Sequence, residues 1–443
     1  MLVLRSGKGW RRPVILVKYA PMNPSKVFPG LMTVFLAATL FVSKSEASDR
    51  SWRVFYGAGG AGFLEKLAQD DEGNVYVAGS ITQNSGSRVS IVKYDLAGRR
   101  LWNYIYDDLN SDVDEFQSFA VTGDGKIYVL ANQFTTNWNI VVFKLDPDDP
   151  GGMPRWTKTH EGFATALAVD AMQNVFVAGY VDPEGGLRDN LLVKYQGDGT
   201  KLWKREFDGP DLTISAATDV AVDNAGSVFL VGSGFTISKF NGEGTPLWAK
   251  GYAGETARKV LVDDDGNAYV TGQFFDAGAL TVKLNPAGEE VWQHIYNQGG
   301  DGPALTEPCD LALGPQGSVY VATREREKYE VFKLAADGTL LWTRKVSGKA
   351  DAPFSSVAVD SQGLAWLFYT KPVSKKKDNV FISGYNADGK RIARARLNNG
   401  NNGHATASDI LLDAQGNPVV TFRGRQDDVP GWFTIKLPRP GGG

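Results

Sequence analysis

A ten-residue segment recurs eight times along this chain, and the repetition limits the folds that the chain can adopt. Seven of the eight copies have glycine at the fourth position, and all continue into apolar residues. The copies are DDEGNVYVAG (70–79), TGDGKIYVLA (122–131), DAMQNVFVAG (170–179), DNAGSVFLVG (223–232), DDDGNAYVTG (263–272), GPQGSVYVAT (314–323), DSQGLAWLFY (360–369) and DAQGNPVVTF (413–422). Tryptophans that follow six copies are 44 to 54 residues apart: Trp102, Trp156, Trp203, Trp248, Trp292 and Trp342. A period of this length indicates a repeat architecture with one supersecondary element in each unit.

Each repeat contains four short segments with the composition of β-strands. They are typified by AVD (221–223), NVYVAG (74–79), VKY (92–94) and LWNYIY (101–106), and turn residues separate them. Four short antiparallel strands in a repeat of about 40 to 50 residues are typical of a propeller blade. The sequence therefore predicts an all-β fold, a β-propeller of eight four-stranded antiparallel blades.

The two ends of the chain complement each other. The eighth repeat stops at FTIKLPRPGGG (433–443), after its third strand, whereas SWRVFYGAGG (51–60) matches the fourth strand of the other repeats. The segment Trp52–Tyr56 would complete the last blade, and this closure leaves no sheet incomplete. We therefore predict a single propeller domain, residues 48–443, with its last blade closed by the N-terminal strand.

Most repeats contain a lysine and a tryptophan at fixed positions around the second hairpin turn. In the first repeat, Lys93 lies five residues before Gly98 and Trp102 lies four residues after it, so the two side chains fall on one face of the hairpin. We predict that each lysine covers the indole of its own blade, a contact of about 0.5 to 2 kcal/mol. The alternative is an anion-binding ring of lysines. The predicted structural pairs are Lys93 and Trp102, Lys194 and Trp203, Lys239 and Trp248, Lys283 and Trp292, Lys333 and Trp342, and Lys436 and Trp52. The seventh repeat lacks both partners, with Gly384 and Ala393 in their places.

These motifs resemble the bacterial β-propeller repeat called SBBP. Its pattern, G-N-V-Y-V-x-G followed by V-K-Y and G-x-x-x-W, is matched by Gly73–Gly79, Val92–Tyr94 and Gly98–Trp102, and the resemblance covers residues 51–437. More distantly, the last motif is similar to the tryptophan-docking motif of quinoprotein dehydrogenases, although an aspartate lies here three rather than four residues before the glycine. The resemblance implies a secreted or surface bacterial protein and implies no common catalytic site.

The first residues have the features of an export signal. An uncharged apolar run, Val27–Val42, precedes small residues at Ser45 and Ala47, which predicts that residues 1–47 are a signal peptide cleaved after Ala47. The alternative is a retained anchor, although the run is shorter than the roughly 20 residues that span a bilayer. Met22 is a candidate true start. We expect a secreted protein, extracellular or periplasmic, with no membrane span after cleavage.

Charge and cysteine content exclude several function classes. Residues 48–443 contain 40 basic and 49 acidic residues, a formal charge of −9, which argues against nucleic acid and anionic membranes as main partners. Cys309 is the only cysteine, so no internal disulfide can form. The three histidines, His160, His294 and His404, have no second ligand at metal-binding spacing, which argues against zinc.

One acidic segment, DDLNSDVDEF, is a candidate metal site. Asp108, Asn110, Asp112 and Asp114 provide an oxygen donor at every second position, as the early ligands of a calcium loop do. Val113 replaces the sharp-turn glycine, and no glutamate occupies the twelfth position, so a solvated acidic loop is the alternative. Ca²⁺ is the one candidate cofactor, and we expect no other.

Two functions of different classes fit the sequence. The first is a monomeric, non-enzymatic propeller that binds a protein or a glycan through the face formed by its longer and more varied connections. The second is an enzyme, polysaccharide-cleaving or quinone-dependent, with acidic residues on the same face. An enzyme would gather titratable groups with perturbed pKa values at the mouth of the central channel. A scaffold would present an exposed apolar or aromatic patch.

Overall fold

A computed structural model of the chain describes residues 51–57, 61–83, 86–106, 113–146, 154–182, 188–207, 216–274, 278–296, 306–325, 328–347, 355–374, 377–397 and 405–440. Within these ranges the chain forms 32 β-strands and one short 3₁₀ turn, Pro315–Gly317. The predicted signal peptide, residues 1–47, lies outside the described ranges, as does the candidate start Met22.

The strands group into eight blades. Strand β1 is Trp52–Gly57. Blades 1 to 4 contain β2 (Ala61–Gln69), β3 (Val75–Gln83), β4 (Gly86–Tyr94), β5 (Arg100–Tyr106); β6 (Val113–Val121), β7 (Ile127–Phe134), β8 (Trp138–Leu145), β9 (Trp156–Glu161); β10 (Phe163–Val169), β11 (Val175–Val181), β12 (Asp189–Tyr195), β13 (Lys201–Phe207); β14 (Ala217–Val222), β15 (Val228–Gly232), β16 (Thr236–Phe240) and β17 (Pro246–Gly251). Blades 5 to 8 contain β18 (Thr256–Val262), β19 (Ala268–Phe274), β20 (Gly278–Leu284), β21 (Glu290–Tyr296); β22 (Thr306–Leu313), β23 (Val319–Glu325), β24 (Lys328–Leu334), β25 (Leu340–Ser347); β26 (Ser355–Val359), β27 (Ala365–Ser374), β28 (Lys377–Tyr385), β29 (Arg391–Leu397); β30 (Thr406–Leu412), β31 (Pro418–Gln426) and β32 (Val429–Lys436).

Every blade is an antiparallel sheet of four strands, which we name a to d from the axis outwards. In blades 1 to 7 the four strands follow one another along the chain, whereas blade 8 has the order β1-β32-β31-β30. Trp52 lies opposite Lys436, and Gly57 lies opposite Gly431. The predicted eight-bladed, all-β propeller with its last blade closed by the N-terminal strand is therefore confirmed.

The a strands line the axis of the ring. Each a strand contacts the a strand of the next blade, and the cycle closes where β30 of blade 8 meets β2 of blade 1. We call this last contact, between blades 8 and 1, the closure seam. The seam lies beside blade 8, the blade in which the first and the last of the described strands pair.

The hydrophobic core of the described residues is divided into eight clusters, one between each pair of neighbouring blades. Tyr76 of blade 1 packs with Phe116 of blade 2, for example. At the closure seam, Trp432 of blade 8 packs with Val75 of blade 1. Because apolar burial occurs between blades, each blade depends on both of its neighbours for stability.

One face of the ring consists of the a–b and c–d turns, and we call it the turn face. In the first a–b turn, the Gly73 N–H donates to the Asp70 carbonyl at 2.9 Å, and the Asp70 N–H donates to the Asn74 carbonyl at 3.2 Å. The Asp70 carboxylate accepts a further bond from the Asn74 N–H at 2.8 Å, and Gly73 has φ +82°, which favours glycine. The same pair of backbone bonds recurs in seven a–b turns and in six c–d turns. The turn face is thus nearly uniform, as the repeated Asp-x-x-Gly signal predicts.

The opposite face consists of the d–a and b–c connections, and we call it the loop face. Its connections differ from blade to blade. The d–a connection from blade 2 to blade 3 is Gly162 alone, whereas those from blade 3 to blade 4 and from blade 5 to blade 6 span residues 208–216 and 297–305. Such variation on a constant frame is typical of the part of a scaffold that carries function.

Candidate functional site

The structure places the predicted lysine–tryptophan pairs directly opposite each other on strands c and d. Lys93 is opposite Trp102, and Lys436 is opposite Trp52. The remaining pairs are Lys194 with Trp203, Lys239 with Trp248, Lys283 with Trp292 and Lys333 with Trp342. Lys144 and Trp156 of blade 2, whose turn is longer, are also opposite each other.

The contacts of these side chains differ from the predicted contact within one blade. Six of the seven indoles lie against the c–d turn of the next blade, where the indole N–H donates to a turn carbonyl; the Trp102 N–H makes no such bond within the described residues. The donors are Trp52, Trp156, Trp203, Trp248, Trp292 and Trp342, at 2.8 to 3.2 Å. In several blades the lysine ammonium reaches the same carbonyl; Lys194 and Trp203, for example, both donate to Gly242. The pair therefore clamps two blades together.

The lysine charge lies over an aromatic ring of strand b rather than over the indole. The Nζ atoms of Lys93, Lys144, Lys194, Lys239, Lys283 and Lys333 lie 4.7 to 5.2 Å from the ring centroids of Tyr76, Tyr128, Phe176, Phe229, Tyr269 and Tyr320. Lys93, Lys239 and Lys436 also form ion pairs with the aspartate of the a–b turn in their own blade. The predicted cation–π contact with tryptophan is replaced by one with strand b.

Blade 7 lacks both the lysine and the tryptophan, and its place in the ring offers a reason. Blade 8 follows it, and strand c of blade 8 runs into residues 437–440 instead of a c–d turn. Without that turn, a tryptophan at position 393 would lack the turn glycine and turn carbonyl that receive the other indoles. Gly384 takes the place of the lysine, and a Cβ there would lie 3.0 Å from the indole of Trp366, the strand b aromatic residue.

Polar side chains of the a strands meet at the axis. In seven blades a polar residue occupies the same register position, opposite the ninth residue of the repeated segment, and blade 3 has an alanine there. We call these eight residues the axial ring: Lys66, Ser118, Ala166, Asp219, Lys259, Asp310, Ser356 and Asp409. Each aspartate accepts a hydrogen bond from a backbone N–H of the next blade, at Val260 (3.0 Å), Val357 (3.0 Å) and Leu67 (2.9 Å). The ring thus links neighbouring blades at the axis.

The charges of the axial ring influence one another. The pKa of Lys259 is raised, chiefly by Asp219, whose carboxylate lies 3.5 Å from its Nζ. Desolvation lowers the pKa of Lys66, and the positive charge of Lys259 lowers it further. Desolvation raises the pKa of Asp409 to about 6, although the Leu67 N–H opposes the shift. Burial therefore favours the uncharged forms of Lys66 and Asp409, whereas Asp219 favours the charged form of Lys259.

Glu65 lies next to the ring at the closure seam, and its side chain is only 4% exposed. Desolvation raises its pKa to about 7, although the hydroxyl of Ser408 and the charge of Arg423 oppose the shift. Ser408 donates a hydrogen bond to one carboxyl oxygen of Glu65. This is the carboxyl group of the described residues that is closest to neutral pH in its titration.

The calcium candidate is only partly within the described residues. Asp108, Asn110 and Asp112 lie outside them. Asp114 is buried on strand a of blade 2, where its carboxylate accepts a hydrogen bond from Gln133 at 3.3 Å and faces Arg88 at 4.0 Å. Within the described ranges, no group of three or more histidine, cysteine, aspartate or glutamate side chains has metal-binding geometry. The Ca²⁺ site stays a prediction.

Four aromatic side chains form a continuous row on the loop face of blades 2 and 3, and we call them the aromatic cluster: Phe134, Trp138, Phe163 and Tyr180. The ring centroids of successive members lie 5.3, 5.4 and 5.4 Å apart. Phe134 is 39% exposed, and the other three are half-buried. This is the exposed aromatic patch expected of a binding scaffold.

The d–a connection beside the cluster is a single residue. Gly162 alone joins blade 2 to blade 3, and its N–H donates to the Trp138 carbonyl at 3.2 Å. A Cβ on Gly162 would lie 2.7 Å from the Tyr180 carbonyl oxygen, and φ is +125°, so the position requires glycine. The guanidinium of Arg188 lies 4.5 Å from the Tyr180 centroid and donates to Asp182 at 2.9 Å.

Sequence reasoning missed both the aromatic cluster and the axial ring. The cluster comprises residues at strand ends, outside the repeated segments, and Trp138 was detectable as a tryptophan that does not follow the repeat spacing. An alignment of the eight a strands shows the polar position of the axial ring directly. Both signals are present in the sequence but require comparison between repeats.

Comparisons with known proteins agree with this architecture. No protein-family model matches the chain, and no curated protein matches its sequence. Among solved structures, the C-terminal WD40 domain of Sif2 is similar with a TM-score of 0.57 and 12% identity, over 87% of this chain and 99% of that one. The chain shares its fold with WD40 propellers.

A second similar structure is Sqt1 of Chaetomium thermophilum bound to the N-terminus of the ribosomal protein L10. Its TM-score is 0.57 with 10% identity, over 87% of this chain and 98% of that one. At these identities the likeness shows the fold alone, and membership of the SBBP-type or quinoprotein families stays a prediction. No helix within the described ranges is long and apolar enough to cross a membrane.

Proposed function

We propose that this propeller is a non-enzymatic binding protein that holds a protein or glycan partner on its loop face. The aromatic cluster is the main support for the proposal. Its four rings lie on the face that varies between blades and are not part of the repeated lysine–tryptophan pairs. Exposed aromatic residues beside an arginine are the residue types that dominate binding energy at interfaces. Among the described residues, six tryptophans of the turn face are docked on neighbouring blades instead.

The charged groups at the axis support a structural role for the channel. Asp219, Asp310 and Asp409 each hold a backbone N–H of the next blade, and such bonds orient strands rather than substrates. The propeller of Sqt1, which is bound to a segment of another protein in its solved structure, is a precedent for protein binding on this fold.

Further parts of the proposal rest on the sequence. We propose export through a signal peptide, residues 1–47, and a secreted or periplasmic location. The SBBP-type motifs support a bacterial surface or secreted protein, and the aspartates near residue 110 support an additional Ca²⁺ ion. We further propose that the protein is a monomer, because every blade has its full set of four strands and leaves only short edges.

The test compares ligand binding by the purified protein and by two variants, each of which replaces one apolar side chain with alanine. Trp138→Ala removes the centre of the aromatic cluster. Met172→Ala removes a side chain that is 73% exposed in the a–b turn of blade 3, on the opposite face. Glycan-array and protein-capture signals should fall by about tenfold or more for Trp138→Ala and stay unchanged for Met172→Ala. Equal signals for both variants would contradict binding through the loop face.

A second candidate function, an enzyme with an acidic site, is favoured by one observation. Glu65 and Asp409 have raised pKa values of about 7 and 6 and lie together at the closure seam, and a carboxyl that titrates near neutrality suits general acid–base chemistry. Polysaccharide hydrolysis or quinone-dependent oxidation that is present in the wild type and abolished in Glu65→Gln would support it. Activity that survives in Glu65→Gln excludes Glu65 as the acid or base.

A further inference from the structure

We propose that the outer strand of blade 7, β29, is a docking edge for an extended acidic segment of another protein, which adds to the sheet as a fifth strand. Strand β29 is Arg391–Leu397 and is hydrogen-bonded to β28 on one side only. We call it the blade 7 edge. It is separate from the aromatic cluster, which lies on blades 2 and 3, so the two surfaces can be tested independently.

The blade 7 edge has three exposed arginines on one face, Arg391, Arg394 and Arg396. Arg391 is opposite Tyr385 and Arg396 is opposite Phe381 on strand β28, and these two aromatic residues pack in the hydrophobic cluster between blades 6 and 7. Residues directly opposite each other share a face of the sheet, and Arg394 is two residues before Arg396. All three arginines are therefore on the side of blade 6.

The positive charge of this face is not offset by nearby carboxylates. Within the described ranges, neither Arg391 nor Arg394 has a carboxylate at ion-pair distance, and the Arg394 guanidinium lies 5.2 Å from the centroid of the Phe381 ring. Arg344 of blade 6 also reaches this side, where it donates to backbone carbonyls of the blade 7 c–d turn. Arg396 already has an interaction partner, so its charge is not counted here.

The position of Arg394 is occupied differently in the other blades. It is the residue after the tryptophan position, and its equivalents are Arg53, Asn103, Thr157, Lys204, Ala249, Gln293 and Thr343. Five of these seven are uncharged, and Lys204 is ion-paired with Glu206. Charged side chains on edge strands prevent like edges from pairing, but that general role does not explain why one d strand has three arginines and no acidic residue.

The other face of the blade 7 edge is apolar and has space beside it. Ala393 and Ala395 pack on the hydrophobic cluster between blades 7 and 8, and their side chains are small where the other blades have a tryptophan. The adjacent Ile392 is 43% exposed and lines a cavity of about 390 Å³. The other lining residues are Gln362, Leu364, Asn386, Ala387, Arg439 and Pro440. A cavity of this size admits an apolar side chain.

An extended polypeptide fits both faces at once. The backbone of an edge strand presents N–H and C=O groups that an added strand can pair with. Side chains of the added strand alternate between the two faces, so acidic residues at every second position would meet the arginines, and apolar residues between them would meet the alanines and the cavity. A guanidinium binds a carboxylate through two parallel hydrogen bonds. An anionic glycan has no amide backbone to extend the sheet, and a second copy of β29 would place arginines opposite arginines.

The first test compares synthetic peptides that have the same composition but a different order. In one peptide glutamate alternates with valine and leucine, and in the other the glutamates are consecutive. We expect the alternating peptide to bind the purified protein about tenfold more tightly in fluorescence anisotropy. N-methylation of alternate amides, which removes the backbone donors and keeps the charge, should weaken its binding by about tenfold.

The second test locates the site with two variants. Arg394→Ser removes one charge of the blade 7 edge, and Lys204→Ser removes one charge at the same register position of blade 3. Affinity for the alternating peptide should fall about tenfold for Arg394→Ser and should fall in higher salt. It should stay unchanged for Lys204→Ser and for Trp138→Ala. Thermal unfolding of each variant checks that the fold is intact.

Several outcomes would overturn the proposal. Equal affinity for the alternating and the consecutive peptide, or no loss on N-methylation, would refute strand addition. Equal binding by Arg394→Ser and Lys204→Ser would refute the location on blade 7. A lack of binding by the peptides, with binding of polygalacturonate or of anionic lipid vesicles that depends on Arg394, would refute the acidic segment and identify another occupant. None of these outcomes changes the proposed binding at the aromatic cluster, which Trp138→Ala tests separately.

Discussion

The turn face and the loop face of this propeller are made from the same eight sheets, yet the turn face repeats its residues from blade to blade and the loop face does not. On the turn face, Asp-x-x-Gly turns and docked tryptophans repeat from blade to blade with the same hydrogen bonds. On the loop face, connection lengths differ between blades, and within the described ranges blades 2 and 3 carry a row of four aromatic rings. The difference separates the residues that specify the ring from those available for recognition. Substitutions on the turn face should therefore change stability, and those on the loop face should change binding.

The largest expected effect is at a docked glycine of the turn face. A Cβ on Gly288 would lie 2.7 Å from the indole of Trp248, and φ there is +81°. Gly226 has φ +78° but open space around it. We expect Gly288→Ala to lower the free energy of unfolding by about 3 kcal/mol or more, and Gly226→Ala by about 1 kcal/mol from backbone strain alone. Urea denaturation measures both; similar costs at the two positions would contradict docking of the indole on the glycine.

Removal of one clamp should have the next largest effect. Trp203→Ala removes the bond to the Gly242 carbonyl at 3.0 Å and the packing on Gly244, and we expect a loss of about 3 kcal/mol in urea denaturation. The neighbouring Leu202 is 46% exposed, and Leu202→Ala should change stability by about 0.5 kcal/mol or less. Ala393→Trp should add no stability, because blade 8 has no c–d turn to meet it. A stabilising Ala393→Trp would show that the indole acts within its own blade.

The pH dependence of stability should identify the closure seam. The pKa of Glu65 is raised to about 7 in the folded protein by desolvation, so folding favours the protonated carboxyl. Its contribution is fully present below the unfolded pKa, near 4.5, and is lost as the pH rises through about 7. We expect the wild type to lose about 2 kcal/mol of stability between pH 5 and pH 8. Glu65→Gln should flatten most of this slope and leave a smaller part from Asp409. An unchanged slope in urea titrations at several pH values would contradict the assignment.

The smallest stability effect should come from the loop face. We expect Trp138→Ala to lower the free energy of unfolding by about 1 kcal/mol, since it loses two tilted ring contacts on a partly exposed surface. Differential scanning calorimetry of Trp138→Ala and Trp203→Ala, each against the wild type, measures the two stability losses. A loss as large as that of Trp203→Ala would mean that the aromatic cluster belongs to the core and would remove the contrast between the two faces.

The sequence predicted the fold closely because each blade is encoded locally. The spacing of the a–b turns and the match between Trp52 and the other d strands specified the blade number and the closure. The contacts of Lys93 and Trp102 were harder to predict. Their spacing around the hairpin turn predicted that they lie opposite each other. However, the carbonyls that accept hydrogen bonds from such pairs belong to a turn about one repeat away. Local spacing contains no information about that neighbour.

The candidate sites were hidden for different physical reasons. Bulges in most a strands, such as that between Ala217 and Asp219, shift the alternation of side chains, so the period-two pattern did not show that Asp219 faces the axis. Phe134 and Trp138 pair across the b–c turn of blade 2, whereas Trp138 meets Phe163 because Gly162 joins blades 2 and 3 without a longer loop. Their juxtaposition depends on blade packing, which follows from the fold and not from a motif.

The pairing of β1 with β32 also has a consequence for biosynthesis. The strand that closes blade 8 is the first of the described strands to be synthesised, but its partner is the last. Until β32 is complete, β1 lacks the edge it pairs with in the finished ring, and the a strands of blades 1 and 8 are not in contact. Folding of the ring therefore ends with a non-local step, which is slow for β-sheets and leaves strand edges accessible to other chains. A circular permutant that moves β1 to follow β32 would make blade 8 contiguous and should shorten that step.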